Sequence, residues 1–322
     1  MSIQKNLPEK NLPESIPTLQ ALIAFINSNG KSATFPSDLC ALRSKCYARI
    51  IQHRKLPIII YASNFLNPAL SKQDSSIGLD DVVGFSEAAA SLDSGEEVDV
   101  LLHSPGGTAE ATERIVEILR NRFNKINFLI PHSAYSAATM LALSGNKIIM
   151  HPNATLGPID PQFDGIPARA IINGFENAKK DLKDQGATVL PAYIPLLEKY
   201  SLHLFERCKD SEKLAKKLVS EWLKKYMFSD EKNITRKIKK IVNYFSDYEE
   251  HFSHSRPLLF SKIDFLGLKI ERSDMALSNL LWEAFILLSG SFDITPSFVK
   301  LYETSNGKTG ISIAKNSHPV KK

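Results

Sequence analysis

The sequence predicts an α/β fold organised around a parallel sheet, on three observations. Short apolar runs of strand length recur: LPIIIYA (56–62), VDVLLHS (98–104), INFLIP (126–131) and KIIMH (147–151). Stretches of helical period stand between them: LDDVVGFSEAAASL (79–92), TAEATERIVEILRNRF (108–123) and SAYSAATMLALSG (133–145). The links are short, and strand–helix–strand alternation of this kind is the pattern of parallel strands joined by crossover helices.

Taken in order, residues 1–17 are polar and interrupted by prolines and read as a loose tail. TLQALIAFINSNG (18–30) is a helix closed by Gly30, and a second helix spans roughly Ser37 to His53. LPIIIYA is apolar without alternation, as a strand buried on both faces must be. The 79–92 helix starts on acidic residues, which suits the positive end of the helix dipole. From Ala168 to about Tyr244 the pattern is mostly helical; SHSRPLLFSKIDFLGLKIER (253–272) then reads as a loop, a helix and a short strand, and residues 305–322 as a polar tail. No internal repeat is visible.

At 322 residues the chain can bury one large core with a helical annex. Hydrophobic content of 43% and charged content of 23% are ordinary for a globular protein. The net charge of +5 comes largely from lysines interleaved with acids in the helical second half, which predicts a solvated helix surface and no nucleic-acid partner. Cys40, Cys46 and Cys208 form no metal-ligand spacing and fit unpaired thiols in a reducing cytoplasm. The first residues lack the apolar centre of a signal peptide, and no run of about 18 apolar residues marks a spanning helix. The expectation is a cytoplasmic protein.

Three segments could carry chemistry. HSPGG (103–107) follows a strand and opens a helix, so paired glycines there let backbone N–H groups approach a ligand at a positive helix end, as an oxyanion site requires. PHSAYSAATM (131–140) changes from strand to helix through small residues around Ser136. Ser136 would be a nucleophile with the Ala137 amide as a second oxyanion donor; the alternative is tight packing of a buried helix. NATLGPIDPQF (153–163) holds Asp160 between Pro158 and Pro161, whose fixed φ stiffens the loop. A fixed carboxylate can orient an imidazole or cap a turn.

Together LLHSPGG (101–107), IPHSAYSAATMLAL (130–143) and KIIMHPNATLGPIDPQF (147–163) resemble the serine dehydrogenase proteinase family. This is a distant branch of the ClpP/crotonase superfamily, to which the signal peptide peptidase A enzymes also belong. The resemblance is dense over roughly residues 56–165 and weaker again at HSRPLLFSKIDFLGLKI (254–270). It implies a ClpP-like ββα spiral core with a helical C-terminal part, a homo-oligomer, and a protein or peptide substrate cleaved without a cofactor or metal. It implies the chain order Ser, Asp, His: Ser136 as nucleophile, Asp160 as acid, His254 as the best-matched base, and Gly106, Gly107 and Ala137 as the oxyanion hole. The implied organisation is a tail and helices over 1–50, the core over 51–167, a helical region contributing the histidine over 168–304, and the tail over 305–322. Two positions depart from the family pattern: Tyr135 replaces the usual Met and Ala138 the usual Gly. Tyr135 would narrow or redirect the entrance. The N-terminal membrane span that some members carry is not visible.

A serine hydroxyl needs a base to react near neutral pH. Eight histidines compete. His103 stands on the glycine turn, His132 four residues before Ser136, His151 at a strand end, and His251 beside His254; His53, His203 and His318 have no supporting context. Lys147 is the option for a lysine base. Two other functions stay open at this level: a non-catalytic oligomeric scaffold on the same fold, and a crotonase-type acyl-CoA enzyme using a similar pair of amides.

Overall fold

The computed structural model describes residues 12–30, 32, 34–199, 202–307 and 309–313. Residues 1–11 of the N-terminal tail and 314–322 of the C-terminal tail lie outside them. A seven-stranded sheet organises the chain, in the order Ile270–Arg272, Lys147–Met150, Phe123–Ile130, Gly95–His103, Ile58–Ser63, Phe298–Thr304, Thr309–Ile313. The first five strands run parallel, and the last two add antiparallel pairings at one edge.

Side chains alternate across the Ile58–Ser63 strand, and both faces are buried. Ile58, Ile60 and Ala62 enter one core with the helices Leu19–Asn29, Phe35–Arg54 and Met275–Ile294. Ile59 and Tyr61 enter the other, with Asp81–Ala90, Ala109–Arg122, Ala137–Leu143 and Leu202–Trp222. That is why LPIIIYA reads as an apolar run without alternation. A satellite cluster, including Ile171, Ile172 and Cys208, joins helix Ala168–Gln185 to helix Leu202–Trp222 beside the main body.

The last third of the chain departs most from the sequence reading. Helix Met275–Ile294 has a mean hydropathy of 1.3 over 18 residues and is apolar enough to cross a membrane by length and composition; 67% of that window is buried here, where it packs as a core helix. It supports strand Phe298–Thr304, whose charged residues are buried. Lys300 is fully buried, with Nζ 2.7 Å from Asp81 Oδ2. Glu303, 3% exposed, receives Arg43 Nε at 2.9 Å and Tyr47 Oη at 2.7 Å. Pairing is what makes such burial tolerable, because an isolated buried charge would not stay ionised. Strand Thr309–Ile313 lies within the stretch read as tail. At the other end, Leu12 packs against the core, and Ile16 is buried with its N–H bonding Glu283 at 2.7 Å, so this part of the stretch read as a loose tail is docked.

Candidate active site

The strand Phe123–Ile130 ends at Pro131, a two-residue strand Ser133–Ala134 follows, and helix Ala137–Leu143 begins directly after Ser136. Ser136 adopts φ 52°, ψ −122°, a region that side chains avoid and that costs of order 1–3 kcal/mol. It stands at the helix N-cap, yet its hydroxyl makes no capping bond. Surrounding bonds hold the turn. Tyr135 N–H donates to the Ser104 carbonyl at 3.0 Å, Ser104 N–H to the Ser133 carbonyl at 3.1 Å, and Met140 N–H to the Ser136 carbonyl at 3.0 Å.

The glycine turn lies against the serine. Gly106 has φ 93°, and a Cβ on it would stand 2.7 Å from both Ser136 Cβ and Ala137 N. Gly107 is pressed against Ile77, which receives Thr108 N–H at 3.0 Å and donates its own N–H to the Gly106 carbonyl at 2.6 Å. Gly106 N–H is taken by Ser104 Oγ at 3.2 Å. Among the described residues, no hydrogen bond engages the N–H groups of Gly107 or Ala137. Gly106→Ala is expected to cut the reactivity of the Ser136 hydroxyl at least about 100-fold by displacing the serine turn. It should also destabilise the fold by about 1–3 kcal/mol. Labelling of Ser136 by a serine-directed probe and a melting curve on the same preparation check both.

Asp160 arrives from the neighbouring strand. Thr155–Leu156 pairs with Ser133–Ala134, and the chain turns at Gly157 toward Asp160. Ile159 N–H bonds the Phe245 carbonyl at 2.8 Å and anchors the loop. Asp160 is 2% exposed. Its Oδ1 is 2.8 Å from His254 Nδ1, while its Oδ2 has no partner among the described residues. With Nδ1 facing the acid, Nε2 is the nitrogen of His254 left to exchange a proton. Ser136 and His254 line one cleft of about 960 Å³ together with Gly107, Ala137 and Met140. Arg207, Leu214 and Ala215 of helix Leu202–Trp222 also line it. No hydrogen bond joins Ser136 to His254 among the described residues; such contacts are often longer in unliganded sites and tighten around a substrate.

The other histidines have other partners. His251 is buried, with Nε2 2.6 Å from the Tyr244 carbonyl. His132 Nδ1 lies 2.7 Å from Ser133 Oγ and its ring stacks on Phe285. His151 stacks on Trp282, His53 pairs with Asp274, and His203 is exposed. His318 lies outside the described residues. Lys147 pairs with Glu271 at the surface. His103 packs against Phe65 and Phe285, and burial next to His132 pushes its imidazole down to about 3. Burial also lowers His132 and His151. The unfolded chain returns His103 to about 6.5, so its neutral form contributes stability that is fully present above that pH. The contribution is lost as the pH falls from about 6.5 to about 3, at a slope of about 1.4 kcal/mol per pH unit. His103→Asn is expected to flatten that part of a urea-unfolding series measured against pH.

One further observation decides what the chain is. A sequence model of the ClpP-like SDH-type serine proteinases matches residues 77–276, a span that holds Gly106, Gly107, Ser136, Asp160 and His254. The chain belongs to this family. Two uncharacterized proteins of Methanocaldococcus jannaschii are similar to it. MJ1495 is 30% identical over 174 residues, covering 54% of this chain and 51% of that protein. MJ0137 is 37% identical over 93 residues, covering 29% and 32% respectively. The chain thus spans about half the length of the first and about a third of the second. Among solved structures, a mutant of 1510-N, a membrane-bound stomatin-specific protease, is similar at 17% identity, with a TM-score of 0.37, over 62% of this chain and 76% of that one.

For a ClpP-like serine proteinase, the two departures sit differently. Ala138 is fully buried in the core. Tyr135 lines the cleft, faces Phe65 edge-on, and receives the Thr155 hydroxyl at 2.9 Å. Ile77, Ser104 and Thr139, which have no role assigned from the sequence, hold the turns in place. Only Thr139, a hydroxyl among alanines in PHSAYSAATM, left a signal that could have been followed.

Proposed function

We propose that this chain is a serine peptidase that hydrolyses peptide bonds through an acyl-enzyme on Ser136. The observation that carries the reading is the His254–Asp160 pair, with His254 on the same cleft as a strained serine whose hydroxyl makes no hydrogen bond among the described residues. His254 Nε2 takes the proton from Ser136 Oγ as it attacks the peptide carbonyl, and Asp160 holds the imidazole in the required tautomer. The amides of Gly107 and Ala137 receive the negative charge on the carbonyl oxygen. Gly106 serves by leaving room, since its own N–H is committed to Ser104. His254 then returns the proton to the leaving amine, and a water activated by the same nitrogen releases the acyl group. The substrate is a protein or peptide, the working state is a homo-oligomer, and the free thiols Cys40, Cys46 and Cys208 suit the cytoplasm.

A fluorophosphonate probe tests the reading. Labelling that maps to Ser136 by mass spectrometry, and vanishes in Ser136→Ala, is expected. A folded chain that stays unlabelled would favour a non-catalytic scaffold.

A further inference from the structure

The short ladder carrying the nucleophile has one irregular rung. Ser133 stands opposite Thr155 and Ala134 opposite Leu156 in parallel pairing, and Thr155 N–H donates to the His132 carbonyl at 2.9 Å. Parallel ladders repeat every two residues, so the next bond of this kind would run from Gly157 N–H to the Ala134 carbonyl. Thr139 Oγ1 is inserted there instead. It accepts from Gly157 N–H at 3.0 Å and donates to the Ala134 carbonyl at 2.7 Å. Thr139 is fully buried, so no water stands in for it from bulk solvent.

The rung lies where the two backbones part. Ala134 is two residues before Ser136, and Gly157 three before Asp160. One bridging hydroxyl widens the ladder at the point where one strand becomes the serine turn and the other the acid loop. Gly157 packs directly on Tyr135: a Cβ there would come 2.6 Å from Tyr135 Cδ1 and 3.2 Å from Tyr135 Cα.

We propose that Thr139 is a positioning residue of the peptidase site: its buried hydroxyl fixes the spacing between the Ser136 turn and the Asp160 loop, and through them the reach of His254 to Ser136 Oγ. This rests on the peptidase reading above. Thr139→Val keeps the side-chain shape but removes the hydroxyl, leaving Gly157 N–H and the Ala134 carbonyl unpaired; Thr139→Ser keeps the bridge.

The test uses the full chain, with Ser136 labelling by the fluorophosphonate and steady-state hydrolysis of a peptide substrate. Folded Thr139→Val is expected to lose about 100-fold in kcat with KM within about threefold of wild type, and Thr139→Ser to stay within about fivefold of wild type. Wild-type kcat in Thr139→Val, a loss confined to KM, or an equal loss in Thr139→Ser overturns the proposal. If Thr139→Val does not fold, Thr139→Ala takes its place under the same criteria. A wild-type chain that is not labelled at Ser136 refutes the peptidase reading, and the positioning role falls with it. A labelled wild type beside an unaffected valine variant refutes the positioning role alone.

Discussion

Ser136→Ala is expected to lower kcat/KM for a peptide substrate by roughly 10⁴-fold or more, leaving only what the amides and the cleft contribute by binding. The magnitude follows from the proposed reaction: without Oγ no acyl-enzyme could form, and water would have to attack directly. KM should change little, because the cleft walls, among them Met140, Leu214 and Ala215, are untouched. A companion variant separates the chemistry from the backbone strain. Ser136→Gly relaxes a residue held at φ 52° and is expected to be about as inactive as the alanine variant. It should be more stable by about 1 kcal/mol, since glycine tolerates positive φ. A melting curve of wild type against Ser136→Gly reads the strain directly. Greater stability in an inactive variant is the signature of a site held out of its relaxed geometry.

His254→Ala should lose about as much as Ser136→Ala, and the double variant should lose no more than either single one. Residues acting as one unit are non-additive in this way. Asp160→Asn is expected to lose roughly 10³- to 10⁴-fold, because an amide facing Nδ1 favours the wrong tautomer of the imidazole. The 2.8 Å contact between Asp160 Oδ1 and His254 Nδ1 makes this substitution diagnostic. His251→Ala is the control. His251 is turned to the Tyr244 carbonyl, so its loss should lower stability while leaving the rate per folded molecule within about tenfold. Retained activity in His254→Ala would move the base elsewhere.

The parallel core was legible because its strands are buried on both faces over short, mainly apolar runs, as at LPIIIYA and INFLIP. The candidate site was legible wherever a backbone demand selected a residue type, as in the Gly106–Gly107 pair pressed against Ser136 and Ile77. What stayed hidden was decided by contacts far apart in sequence. Lys300 and Glu303 look like surface residues until Asp81 and Arg43 meet them across the fold. Helix Met275–Ile294 lacks the amphipathic period that marks a surface helix, because most of it is enclosed. The histidine could be ranked only by resemblance, since 94 residues separate His254 from Asp160 and no local pattern joins them. Gly106 and Gly107 could not be told apart in sequence. The Ser104 hydroxyl engages one amide and leaves the other open, which is a matter of hydrogen-bond partners alone.

The most direct measurement of the central claim is rapid-quench mass spectrometry during turnover of a peptide ester or amide. The predicted result is a transient adduct carrying the mass of the acyl group, mapped to Ser136, whose decay matches product formation. Turnover with no adduct, or an adduct on any other residue, would contradict it.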